Sequence, residues 1–304
     1  MDQRQLRALV AVGEHRSFSA AAKSLHTVQS NISTHVSRLE NELGVILVDR
    51  ATTELTEEGR VVVERARRID HEFAALASDI AAIRDVVSGT VRAGVIGTTA
   101  RWLVPPLLNS LKTKYPEVHV VLLDATTSSL ALQLIGGQLD MAVVNTPLDA
   151  PELRTTPLFD EDRLLVAPAG HPLYDRESVT MADLSEHELL LEAEGTSFRT
   201  ELDDDAAAAG VTLRAQAEVD GMRLLASLAF SGFGAAVLPA SAAPGWLEGQ
   251  WRRIPIEGIG RRSVGLSRRR RGLPSAAERA VADTIHHVVV TEATLQRGIH
   301  PVVG

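Results

Sequence analysis

Two apolar helical stripes lie almost end to end between residues 17 and 44, and this spacing restricts the fold more than any other feature of the chain. Phe18, Ala21, Ala22 and Leu25 form the first stripe, entered through Ser17 as an N-cap. Val28, Ile32, Val36, Leu39 and Leu43 form the second, recurring every three or four residues and stopping at Gly44, a residue suited to a helix C-terminus. Only His26 and Thr27 separate them. So short a link makes the helices cross steeply, which is helix-turn-helix geometry. An earlier stripe, Leu6, Leu9 and Val10, supplies a third helix.

On the helix after the tight turn, a rotation of about 100° per residue places Ser30, Ser33, Thr34 and Ser37 opposite the apolar stripe, with Gln29 and Asn31 flanking its N-terminal end. Small polar groups so arranged reach base edges when a helix lies in a major groove. A solvated surface face has the same composition, and the tight turn tips the balance toward recognition. Charge does not help. The 304 residues carry a formal net charge of -8. Among the first fifty, Arg4, Arg7, Arg16, Lys23, Arg38 and Arg50 barely exceed Asp2, Glu14, Glu40, Glu42 and Asp49, so there is no dense basic patch.

After Gly44 the segment V-I-L-V-D-R-A-T-T-E-L-T supplies two short strands and a turn, a wing. Thr56 then caps a long helix, with Glu57 and Glu58 complementing the dipole of its first turn. Val62, Ala66, Ile69, Phe73, Leu76, Ile80, Ile83 and Val87 alternate along it by four and three, a heptad seam that predicts dimerisation. Ser88 and Gly89 end it.

From Thr90 strands and helices alternate: V-R-A-G-V-I-G, a helix from Arg101 to Tyr115, V-H-V-V-L-L-D, a helix from Leu130 to Ile135, then M-A-V-V-N. A second series runs through L-L-V-A-P, L-L-L-E, a helix near Phe198 to Ala209, A-Q-A-E-V-D, a helix near Met222 to Ser231, and A-A-V-L-P. This pattern predicts parallel strands with crossover helices in two α/β lobes, with a ligand between them at the strands' carboxyl ends.

The chain has no cysteine, which excludes disulfides and thiolate metal sites. Asp2, Arg4 and Arg7 interrupt the opening residues, so no signal-peptide core is expected, no apolar run approaches the ~18 residues of a membrane span, and the expected location is cytoplasmic. Arg268 to Arg271 reads as a solvated strand end and Asp203 to Asp205 as a solvated helix face. His286 and His287 lack the i, i+4 spacing of a two-histidine metal site. No nucleophile elbow, phosphate loop or dinucleotide fingerprint occurs. No catalytic residue, metal or cofactor is therefore expected.

The segments M-D-Q-R-Q-L-R-A-L-V-A-V, S-F-S-A-A-A-K-S-L-H, Q-S-N-I-S-T-H-V-S-R-L-E-N-E-L-G and L-T-E-E-G resemble the N-terminal signature of LysR-type transcriptional regulators. L-V-P-P-L-L with Y-P-E-V, L-I-G-G-Q-L-D-M-A-V, H-P-L at 171–173 and G-F-G-A-A-V-L-P resemble the same family's sensor domain, so nearly the whole chain is covered. The resemblance implies an α+β multidomain protein: a winged helix-turn-helix over 1–58, a dimerising linker helix over 59–89, and a two-lobed α/β sensor similar to periplasmic binding proteins over 90–304. Lobe I is expected at about 90–163 and 268–304, and lobe II at about 164–267.

The partners the resemblance implies are double-stranded operator DNA, a small-molecule effector, and further copies of the chain as homodimer and homotetramer, with no membrane. Carried over by position, Gln29, Ser30, Asn31, Ser33 and Thr34 read DNA, while Arg38 and Arg50 contact phosphates. Ser30 and Thr34 stand where proline and arginine are common in the family, so position 34 offers no bidentate guanine contact. Val48 replaces the usual aromatic, and the segment from Arg50 to Leu55 is short, which implies an abbreviated wing. The effector positions map to Thr98, Thr99, Thr126, Thr127, Ser128, Thr146, Thr196, Ser197, Phe198, Arg199, Gly221 and Met222. Helix N-termini and hydroxyls there suit a carboxylate, with Arg199 and Arg101 as countercharges, although the same Ser and Thr residues serve equally as N-caps. Gly221 stands where many relatives have serine. The competing classes are a DNA-binding regulator without an effector, a solute-binding component and an enzyme on the same two-lobed scaffold.

Overall fold

A computed structural model describes residues 1–302. The chain divides into two compact units: Met1–Gly89 with Gly136–Gln138 and Pro274–Ala277, and the remainder.

The first unit is helical. Helix α1 (Gln3–His15) begins at a capping box in which Asp2 accepts from the Gln5 amide while the Gln5 side chain accepts from the Asp2 amide. Helix α2 (Phe18–Ser24) is capped by Ser17, and α3 (Gln29–Leu43) ends at Gly44, whose φ of 71° is the left-handed conformation glycine adopts without strain. Leu9 and Val12 of α1, Ala21 and Ala22 of α2, and Ile32, Val36 and Leu39 of α3 close one buried core. Each large aliphatic side chain there contributes about 1.5–3 kcal/mol. That core holds α3 with its polar face outward.

The wing is short: Val48 and Leu55 form a single antiparallel bridge, closed by the Asp49 amide donating to the Glu54 carbonyl. Thr56 caps helix α4 (Glu57–Ile83) by accepting from the Gly59 amide. Gly59 has to be glycine, because a Cβ there would lie 2.1 Å from the Leu47 carbonyl oxygen. The expected seam needs correcting at both ends. Val62 and Ala66 pack into the core of this unit, and Val87 falls beyond the helix, which is capped at Arg84. Between those limits Ile69, Phe73, Leu76, Ile80 and Ile83 are all exposed, Ile83 by 79%. They form an apolar row on a helix whose first turns are already packed.

The second unit contains two sheets. Its elements in chain order are β1 (Gly89–Val95), α5 (Gly97–Lys114), β2 (Val118–Asp124), α6 (Thr127–Ile135), β3 (Met141–Thr146), β4 (Leu153–Glu161), β5 (Arg163–Pro168), α7 (Met181–Ser185), β6 (Glu188–Glu192), α8 (Ser197–Ala208), β7 (Arg214–Val219), α9 (Met222–Phe230), β8 (Ala236–Pro239), a 3-10 turn over Ala240–Ala242, β9 (Trp251–Pro255), β10 (Arg262–Arg269), α10 (Ala276–Glu292), a second 3-10 turn over Ala293–Leu295, and β11 (Ile299–Pro301). Lobe I carries the strand order β11-β4-β10-β3-β1-β2, and lobe II the order β7-β6-β8-β5-β9.

The β1–β3, β6–β7 and β6–β8 pairs are parallel, as the alternation predicts. The pairs made by β10, β11, β5 and β9 are antiparallel, so each sheet is mixed. Strand β10 also corrects the lobe boundary. It pairs from Arg262 onward with both β3 and β4, so the chain re-enters lobe I at 262 rather than 268. Two segments, one between β4 and β5 and one between β9 and β10, carry the chain from lobe to lobe.

Candidate nucleic-acid interface and ligand cleft

On α3 the side chains of Gln29, Ser30, Asn31, Thr34 and Arg38 are exposed, and Ser33 and Ser37 are half-buried. Several of these polar groups already have partners. Asn31 Nδ2 donates to Thr27 Oγ1 at 3.0 Å, and the Thr34 hydroxyl donates to the Ser30 carbonyl at 2.8 Å. Gln29, Ser33 and Arg38 have no such local bond, and Ser30 gives up only its carbonyl. These four are therefore the side chains best placed to take external partners.

Arg50 sits differently from the sequence expectation. Its guanidinium donates to Ser37 Oγ at 3.1 Å and Glu40 Oε2 at 2.8 Å, and lies 4.9 Å from the centre of the Phe18 ring. It ties the wing to α2 and α3, and a phosphate contact would have to share a guanidinium already held on one side. Glu40 is the residue that sequence reasoning missed. Its Oε1 accepts from the Leu47 and Val48 amides at 2.9 and 3.2 Å, so one carboxylate organises the start of the wing and anchors Arg50. No local pattern announces such a contact.

In the second unit the expected ligand positions gather at strand carboxyl ends. Thr98 and Thr99 follow β1, Thr126 to Ser128 follow β2, and Thr146 ends β3. In lobe II, Thr196 to Arg199 follow β6, and Gly221 and Met222 follow β7. The two groups face each other, because Arg223 of α9 forms a 2.7 Å ion pair with Asp124 at the end of β2. The pair passes close over the start of α5: a Cβ on Gly97 would lie 2.9 Å from Asp124 Oδ1 and 3.0 Å from Arg223 Nε.

Local bonds divide the candidates. Thr126 and Thr196 serve as caps, accepting from the amides of Ser129 and Arg199, and Thr127 Oγ1 accepts from the Asn145 amide. Ser128 and Ser197 are exposed, Thr146 is half-buried, and Thr99 is wholly buried with an Oγ1 that has no partner. Asn145 Oδ1, next to Thr146, is likewise buried and unpartnered. Gly221 caps α9 with φ 124° and open space around it, and Met222 packs against both apolar clusters of lobe II.

Two assignments are corrected. Phe198 is a core residue of lobe II, buried with Leu189, Leu191 and Leu202, because the first turn of α8 points it into the lobe. Arg199 is not a free countercharge. Its guanidinium is buried and bonded to Asp203, Glu218 and the Glu192 carbonyl, and those carboxylates raise its pKa against the opposing effect of burial. Arg101 is exposed and stands apart from these positions, beside Trp102 and Arg297.

The best-ordered charges of the cleft were not anticipated. Glu161 at the end of β4 and Arg262 at the start of β10 form an ion pair in which both side chains are almost wholly buried. Glu161 Oε2 also accepts from the Ser241 amide at 2.9 Å, and Arg262 Nη2 donates to Thr98 Oγ1 at 3.1 Å. Glu192, at the end of β6, is half-buried, and burial lifts its carboxyl above the ordinary value while Thr196 and Arg262 pull it back. Thr98, Arg262, Glu192 and Thr196 thus meet at the lobe junction. Among the described residues no cluster of histidine or carboxylate side chains could hold a metal ion. No helix of the described residues is long and apolar enough to cross a membrane.

A helix-turn-helix with an outward polar face, joined in one chain to a two-lobed α/β body with hydroxyl groups at its strand ends, defines a DNA-binding regulator with a ligand-sensing domain. Residues 3–60 match the model described as bacterial regulatory helix-turn-helix protein, lysR family, and residues 84–289 match that of the LysR substrate binding domain. The chain belongs to the LysR family of bacterial transcriptional regulators. It is a sequence-specific DNA-binding regulator and not an enzyme, and its partners are operator DNA, a small-molecule effector and copies of itself.

Among its relatives, a protein of Streptomyces viridosporus named probable hydrogen peroxide-inducible genes activator is 36% identical, over 78% of this chain and 77% of the relative. The DNA-binding transcriptional dual regulator OxyR of Escherichia coli is 32% identical over 80% and 81%. A full-length OxyR cysteine variant from Pseudomonas aeruginosa shares the fold with a TM-score of 0.78 at 24% identity, covering 100% of this chain and 99% of that one. CbnR in complex with its target DNA gives a TM-score of 0.69 at 25% identity, covering 96% and 100%.

Proposed function

We propose that this regulator reads its operator through Gln29, Ser30 and Ser33, with Asn31, Thr34 and Ser37 shaping that face, and takes phosphate contacts from Arg38 and, in part, Arg50. Its domains divide as 1–58, 59–89 and 90–304, and its signal is a small molecule held reversibly at the lobe junction by the hydroxyls of Thr98, Thr99, Thr126, Thr127, Ser128, Thr146, Thr196 and Ser197. Gly221 and Met222 form one wall. The supporting observation is the convergence of strand carboxyl ends and helix N-termini around buried polar atoms that lack partners, Thr99 Oγ1 and Asn145 Oδ1. Several relatives are named for induction by hydrogen peroxide. A chain without cysteine cannot pass such a signal through sulfenic acid or a disulfide, so the reading here is non-covalent binding. Binding controls DNA contact only if the effector favours one arrangement of the assembly over another.

The test has two arms. In anisotropy titrations of the full chain on genomic fragments, Gln29→Ala or Ser33→Ala weakens specific binding by roughly tenfold, as expected for a lost base contact worth about 1–3 kcal/mol. Arg38→Ala weakens specific and random duplex alike and lowers the salt slope by about 0.9. In a thermal-shift screen against metabolites, a stabilising compound loses its effect in Thr98→Val. Equal affinity for operator and random duplex would reject the DNA reading. A peroxide-dependent footprint that persists after the peroxide is removed, or an effector response untouched by every hydroxyl replacement, would reject the effector reading.

A further inference from the structure

The arginine run at 268–271 takes part in neither the DNA-reading face nor the effector cleft, and the structure splits it. Arg269 turns inward and donates to the Leu134 and Leu139 carbonyls at 3.1 and 2.6 Å. Arg270 and Arg271 are exposed and Arg268 is half-buried, and none of these three side chains makes an ion pair or hydrogen bond with a described residue. A fourth guanidinium joins them. Arg154 of β4 is the direct cross-strand neighbour of Arg268 on β10, so both lie on one face of the sheet, and Arg154 is likewise exposed and unpaired. Like charges directly opposite one another weaken an antiparallel pair. Arg270 stays close by, because its amide donates to the Glu152 carbonyl at 2.8 Å, and the exposed Glu152 side chain pairs with none of the four. The positive field reaches α10, where burial and Arg268 both push the His286 pKa down against the pull of Asp283. Four uncompensated arginines thus gather at one end of lobe I in a chain whose net charge is -8.

The run leads into an apolar side chain. Leu273, 87% exposed, is the most exposed large apolar residue among the described residues. Its loop is anchored on both sides, by the Arg270 amide on Glu152 and by the Ala276 amide, which donates to Asp79 Oδ1 at 2.8 Å. Gly272, with φ 96°, makes the turn between the anchors, and Pro274 disfavours helical backbone at Leu273. The leucine is therefore held out in water by a fixed loop.

We infer that this surface docks an acidic segment of another protein, one that carries an apolar side chain among its carboxylates. Guanidinium forks pair with carboxylates two bonds at a time, and covering Leu273 removes its apolar surface from water. A nucleic-acid backbone would satisfy the arginines and leave Leu273 exposed. A purely apolar partner would bury the guanidiniums without acceptors, at a cost in desolvation. Only a partner with both features uses the whole surface.

The experiment is fluorescence anisotropy on the full chain with a short labelled peptide of aspartates and glutamates around two leucines. The comparators are the same peptide with serine for leucine, and a random DNA duplex. Saturable binding of the leucine peptide is expected, and the serine peptide binds more weakly by roughly tenfold. Leu273→Ser, and Arg270→Gln combined with Arg271→Gln, each raise the Kd of the leucine peptide by roughly tenfold. All three positions are exposed, so the fold is kept. Arg38→Ala on the DNA-reading helix leaves peptide binding unchanged, and the Arg270 and Arg271 changes leave duplex binding unchanged. No saturable binding of the leucine peptide overturns the inference, as does equal binding of the serine peptide. Duplex binding weakened by the Arg270 and Arg271 changes assigns the run to nucleic acid and overturns it too. Peptide binding lost in Arg38→Ala but kept in the Arg270 and Arg271 variant places the probe on the DNA-reading helix, which overturns the inference and leaves the operator reading intact.

Discussion

Replacing Glu161 by methionine removes one half of a buried ion pair and leaves Arg262 charged where only 3% of the residue meets solvent. The lost contacts are the guanidinium of Arg262 and the Ser241 amide. Removing one partner of such a pair costs about 3–5 kcal/mol, most of it the penalty of an uncompensated buried charge, whereas replacing both partners by apolar groups of similar volume is often close to neutral. At roughly 2–4 °C per kcal/mol for a body of this size, Glu161→Met lowers the Tm of the sensor by about 6–20 °C, and Glu161→Met with Arg262→Met recovers most of the loss. The chain carries its own probe, since Trp102, Trp246 and Trp251 all belong to the second unit and tryptophan fluorescence follows that unit alone. Urea titrations of the single and double variants check the cycle. A single variant within about 1 kcal/mol of the parent, or a double variant as unstable as the single, refutes the reasoning.

Three further outcomes follow from the same geometry. Ile80→Asp or Leu76→Asp on the exposed row of α4 abolishes self-association in sedimentation velocity while shifting stability within about 0.5 kcal/mol, because neither side chain is buried in the single chain. Glu40→Ala leaves the buried amides of Leu47 and Val48 without an acceptor and destabilises the helix-turn-helix unit by about 2–3 kcal/mol, measurable by circular dichroism of the melting transition. Glu192 holds its proton above the ordinary value of 4.5 because it is buried, so the folded chain binds more protons than the unfolded one from 4.5 up to the raised value. The contribution of Glu192 to stability is therefore fullest below 4.5 and is lost as pH rises through that window, and Glu192→Gln removes this contribution from the pH profile in urea titrations followed by tryptophan fluorescence.

How much was legible in the sequence follows the range of the interactions. The stripes of α2 and α3, the Ser17 and Thr56 caps and the Gly44 stop depend on residues within one or two turns, and each stands where the spacing puts it. The α/β alternation was equally plain. What it could not reveal was β10, of which the sequence showed only a solvated strand end at Arg268 to Arg271: the strand runs antiparallel between β3 and β4, an arrangement made by partners more than a hundred residues away. The site divides in the same way. Position in a motif located Thr98, Thr126 and Thr196, but could not tell that Phe198 turns into the core or that Arg199 is held by Glu218 from another strand. Glu40 with the wing, and Glu161 with Arg262, are contacts between distant residues that carry no periodic signal.

Among the described residues, the backbone passes between the lobes twice, and Glu161 opens the first passage while Arg262 closes the second. The two residues are cross-strand neighbours in lobe I, so their pairing holds both tethers side by side where they leave that lobe. Residues lining the cleft can change to suit a new signal without disturbing that joint.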